Sequence, residues 1–133
     1  MDKTKKLLWL KRVLIIKILV VALLWALPSW LAPESVLNLF GVAIPEDPFF
    51  MRIFGGVQFG LIFLYWFAYQ NPVRNRDIIR YGVIDNILSF LTILGVAFTT
   101  GISNPTIWLS AVLVAGFAIA FYLLMPPISD DAG

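Results

Sequence analysis

Asp85 is the residue around which any chemistry of this chain would turn. Tyr81, Asp85, Ser89 and Thr92 follow the spacing i, i+4, i+8, i+11, which puts one carboxyl and three hydroxyls on a single helical face. Gly55, Gln58, Ile62, Tyr65 and Tyr69 make a second face on the preceding helical stretch. Lys17 and Arg52 add two cations within apolar surroundings. A carboxyl, an amide and a few hydroxyls can bind a polar group or pass a proton. They lack the paired acid and base or activated nucleophile of a catalytic set, so no catalytic residue and no enzyme are expected. The chain has no cysteine and no histidine. That removes disulfides, thiolate chemistry, the commonest metal and haem ligand and the commonest general base. No metal and no cofactor are expected.

These groups must be positioned by elements immersed in hydrocarbon. Of 133 residues, 60% are hydrophobic and 14% charged, with a mean hydropathy of +0.88. Soluble domains sit nearer ~45–50% apolar and ~25% charged. Four apolar stretches of spanning length, 13–31, 49–70, 78–98 and 106–125, predict an all-α, four-transmembrane-helix bundle forming one membrane domain over 1–133. The linkers between them carry proline, asparagine and glycine. Within the first linker, ESVLNLFG predicts a short interfacial helix starting near Glu34 or Ser35 and ending before Gly41. The first stretch has the basic start of a signal peptide, but WALPSWLAP lacks the small-residue pair of a cleavage site, so a retained span is expected.

The basic residues set an orientation. Lys3, Lys5, Lys6, Lys11 and Arg12 precede span 1, and Arg74, Arg76 and Arg80 lie around the second linker; the first and third linkers have neither lysine nor arginine. The positive-inside rule then places both termini in the cytoplasm of a multi-pass cell-membrane protein. It also accounts for the net charge of +2 through anionic lipid rather than nucleic acid. Trp9, Trp25, Trp30, Trp66 and Trp108 fall near span ends, as an aromatic belt requires.

Polar groups in hydrocarbon need partners. At ~1.5 Å of rise per residue, Asp85 and Gln58 reach nearly the same depth, so they are expected to meet inside the bundle. There a carboxyl without a cation would hold a proton. Lys17 could supply the cation by reaching toward Asp85, but snorkelling to the headgroups is the favoured expectation. Arg52 is expected to pair with Glu46 or Asp47, or else to line a polar vestibule. Gly56 and Gly60 form a GxxxG pair, widened by Gly55, suited to close helix packing within the chain or between copies.

Pro33-Glu34, Phe40-Gly41, and Arg52 followed by Gly55, Gly56 and Gly60 resemble the small four-helix membrane proteins of the DoxX-like and BphX-like group over residues 13–70. That resemblance implies the same four-helix fold. It also raises a quinone-facing role, since a few relatives are subunits of membrane oxidoreductases. Span 1 lacks the deep glutamate of small multidrug transporters, and span 3 lacks the signature of fluoride channels. Three functions are weighed. The first is a structural or accessory bundle that self-associates, as a homo-oligomer, or packs on a larger membrane complex. The second is a small transporter or channel around Asp85 and Gln58. The third is a lipid- or quinone-binding protein with an apolar groove and a polar head near Arg52.

Overall fold

Residues 1–128 are described by the computed structural model, and helices make up most of them, with no strand among the described residues. The helices are α1 (Lys3–Val20), α2 (Leu27–Leu31), α3 (Glu34–Leu39), α4 (Phe49–Gln70), α5 (Arg76–Thr100) and α6 (Pro105–Leu124). α4, α5 and α6 are each long and apolar enough to cross a membrane. α1 and α2 are joined by one wide π-helical segment, Val21–Ala26, so a continuous helical rod runs from Lys3 to Leu31.

Pro28 gives the physical reason for the π-segment. Its ring has no N–H to donate and would collide with the carbonyl four residues earlier. A local shift to i→i+5 pairing is a recognised way for a helix to pass such a residue without breaking. The first stretch is therefore a helix of non-uniform winding, where the sequence predicts an ordinary span over 13–31.

α3 forms where an interfacial helix is expected. Its capping differs from the expectation at one end: Pro33 takes the N-cap position and no side chain caps the helix. The C-terminal end closes as a Schellman motif. Gly41 takes φ 69°, its N–H bonds to Asn38 O, and the Val42 N–H bonds to Leu37 O. α4 starts under Asp47, whose Oδ1 accepts the Phe49 N–H at 3.0 Å. α6 starts at Asn104, whose side chain accepts the Ile107 N–H at 2.9 Å.

α5 packs mainly on α6, and α4 packs mainly on the first rod, which also touches α6. α4 and α5 touch each other least among these neighbours. Where they do meet, Gly82 lets Tyr65 and Phe121 lie close: a Cβ there would come within 3.0 Å of Phe121 and 3.3 Å of Tyr65. Leu10, Leu14, Leu61, Tyr65, Ala68, Ile79, Phe117 and Phe121 form the tight core at this end. At the other end Gly55 draws α4 onto the first rod, since a Cβ on it would fall 2.3 Å from the Trp30 backbone nitrogen. The two pairs of helices thus close at one end and leave a gap between α4 and α5 at the other. Outward-facing Leu23, Val57, Phe63, Leu88, Val112 and Ile119 are exposed along the helices, a surface suited to acyl chains rather than water.

Candidate functional site

The gap between α4 and α5 is a cavity of about 560 Å³. Lys17, Gln58 and Asp85 line it next to the tight core, and Val42, Asn104 and Thr106 line it at the far end. On α5 the lining runs from Asp85 to Val96, which at ~1.5 Å per residue is a length of ~16 Å. Phe54 on α4 and Leu88 and Val96 on α5 are both lining and exposed, so the cavity opens sideways between these two helices.

Lys17 turns inward and is only 2% exposed. Its Nζ donates to Asn86 Oδ1 at 2.7 Å. The same ammonium lies 4.7 Å from the Phe117 ring centroid, 5.0 Å from Trp25 and 5.7 Å from Tyr65. Snorkelling is the expectation this overturns. Three aromatic faces and a charge-assisted hydrogen bond supply what the headgroup region would otherwise offer. Asn86 in turn is fully buried, and its amide nitrogen donates to Gly82 O at 2.6 Å. Its orientation is therefore set by its own helix before it meets Lys17.

Asn86, one residue after Asp85, is thus the hydrogen-bond partner of Lys17. Adjacent residues on a helix point ~100° apart. The buried positions of α5 are Ile79, Gly82, Asn86 and Ala97, a stripe rotated from the predicted Tyr81–Asp85–Ser89–Thr92 face. Tyr81 is correspondingly 43% exposed and does not line the cavity. Thr92 lines it but donates its hydroxyl back to Leu88 O at 2.8 Å. Asp85, Ser89 and Gln58 all line the same cavity. Gln58 and Asp85 therefore share a space without a hydrogen bond between them. Tyr65 belongs to the core beneath; it stacks on Phe121 at 5.8 Å, and its buried hydroxyl has no hydrogen-bond partner.

Arg52 pairs with neither Glu46 nor Asp47. Its guanidinium donates to Ser29 O at 3.2 Å and Ala32 O at 3.1 Å, satisfying carbonyls left open where the first rod ends. Asp47 is used instead at the start of α4, and Glu46 bonds to no cation among the described residues. Arg52, Asp47 and Trp30 border a separate shallow depression that also contains Gly56. Of the three glycines singled out for packing, Gly55 makes the close approach, a Cβ on Gly56 would lie 3.8 Å from the Trp30 indole nitrogen, and a Cβ on Gly60 would meet nothing within 4 Å. Trp25 also departs from a belt position: its Nε1 donates inward to Ser110 Oγ at 3.2 Å.

Asn86 is the site residue that face-reading missed. The available signal was an amide deep in an apolar stretch, on a helix turn shared with Gly82. No family model matches this chain, and neither a curated protein nor a solved structure matches it.

Proposed function

We propose that this chain is a multi-pass membrane protein that binds an amphiphilic molecule between α4 and α5, admitting it sideways from the bilayer. In this reading the first rod is a fourth crossing beside α4, α5 and α6, and both termini lie in the cytoplasm. The observation that carries the proposal is the cavity itself. Its volume of about 560 Å³ falls in the ~300–1,000 Å³ range of small-molecule sites. Apolar Val42, Phe54, Leu88, Ile93, Val96 and Val114 form much of its wall; Lys17, Gln58, Asp85 and Ser89 line it nearer the core, and the polar Thr92, Asn104 and Thr106 also on its lining donate to main-chain carbonyls. Such a layout matches a molecule with a polar head and an apolar body.

An accessory bundle calls for Asp85 and Gln58 to be sealed in helix contacts, and their place on an open cavity wall favours binding. The lipid- or quinone-like occupant weighed from the sequence is kept. Its head is placed at the Lys17–Asp85 end, since Arg52 is engaged by Ser29 and Ala32. The resemblance to the DoxX-like and BphX-like group is compatible with this role. Single-tryptophan protein retaining Trp25, reconstituted with brominated lipids, tests the proposal. Trp25 lines the cavity, so bromine on acyl chains should quench it, and filling the cavity by Ser89→Phe should relieve the quenching. Quenching that is absent, or indifferent to Ser89→Phe, refutes lateral entry.

A further inference from the structure

The hydrogen bonds around the cavity determine which kind of head it can hold, given the binding role proposed above. Most of its polar groups are already committed. The Lys17 ammonium is covered by Asn86 and three rings. The Trp25 N–H goes to Ser110. Asn104 and Thr106 donate to Gly41 O and Phe40 O of the α3 turn. Thr92 is bonded within α5. What remains without a hydrogen bond among the described residues is the Asp85 carboxylate and the Ser89 hydroxyl on α5 and the Gln58 amide on α4, all lining the same cavity.

We infer that the cavity accepts a lipophilic organic cation, with Asp85 as its counter-ion. Asp85 is the charged group on the lining that makes no hydrogen bond, and when ionised it accepts hydrogen bonds and donates none. An anionic head would need the Lys17 ammonium, which is 2% exposed and already seated. The ring of Phe54, which lines the cavity and is not engaged by Lys17, offers an aromatic surface to a diffuse cation. Gln58 and Ser89 supply neutral donors and acceptors beside the carboxylate.

Tetraphenylphosphonium and tetraphenylborate are close in shape and opposite in charge, and triphenylphosphine oxide is a smaller neutral relative with three of the four rings. Each is titrated into the purified full chain in nanodiscs of zwitterionic lipid. Specific binding is the part lost when Ser89→Phe fills the cavity. Tetraphenylphosphonium should bind specifically and more tightly than tetraphenylborate. Asp85→Asn should weaken the cation at least tenfold, leave the neutral oxide within twofold, and keep the wild-type helical circular dichroism; Asp85→Glu should retain cation binding. Tighter specific binding of tetraphenylborate, or a cation affinity unchanged by Asp85→Asn, overturns the inference. If the neutral oxide still binds specifically in either case, the cavity reading survives and only the charge preference falls. If none of the three probes binds specifically, the cavity reading falls and takes this inference with it.

Discussion

Lys17→Met and Asn86→Leu, made singly and together, measure the bond that closes the floor of the cavity. The contact is a 2.7 Å hydrogen bond from an ammonium to a fully buried amide oxygen. A hydrogen bond to a charged group contributes ~1.5–3 kcal/mol. Bonds between membrane helices average only ~0.6 kcal/mol and reach ~1.7, because partners are also found before the helices pack. A charged donor that is only 2% exposed belongs at the top of that range. The aromatic contacts to Trp25, Phe117 and Tyr65 survive Asn86→Leu, so they drop out of the cycle. The expected coupling is therefore ~1.5–1.7 kcal/mol, a factor of roughly 10 to 20 in the unfolding equilibrium. Each single variant should be clearly less stable than wild type, and the double variant should be more stable than the two losses added. Unfolding in mixed micelles, followed by circular dichroism, gives all four stabilities. A coupling below about 0.5 kcal/mol would refute the claim that Lys17 is held by Asn86.

Gly55→Ala should destabilise by ~1–3 kcal/mol, because its Cβ would meet the Trp30 backbone at 2.3 Å, where nothing can yield without moving a helix. Gly60→Ala, with nothing within 4 Å, should hold or slightly raise the melting temperature of the monomer in the same assay, since alanine is the better helix former; equal losses at both positions would contradict the packing described. Since the chain has no cysteine, single cysteines report topology cleanly. Thr4→Cys and Asn75→Cys should react with an impermeant maleimide only after cell lysis, and Ile44→Cys and Ser103→Cys in intact cells. Labelling of Thr4 and Ile44 from the same side would show that the first rod does not cross.

The long helices were readable because they combine length, apolarity and punctuation. α4 runs over 49–70 as expected, α5 over 76–100 against an expected 78–98, and α6 over 105–124 against 106–125. The α3 turn was readable from Gly41, whose positive φ is costly for other residues. The π-segment was not, since hydropathy carries no information about winding and only Pro28 hinted at it. The choice between Asp85 and Asn86 was out of reach for a related reason. Periodicity defines a face, but which neighbour that face meets depends on helix rotation set by packing at Gly82 and Gly55. Arg52 illustrates the same limit: carbonyls left open by a helix end have no signature in side-chain types.

The claim with most resting on it is that the Asp85 cavity opens to hydrocarbon. A spin label on Ser89→Cys in nanodiscs reads this through collision with oxygen, which concentrates in lipid, and with a nickel chelate, which stays in water. A cavity open to acyl chains gives strong relaxation by oxygen and little by nickel. Strong relaxation by nickel would mean a water-filled path, and none by either would mean a sealed bundle; both results would contradict that opening.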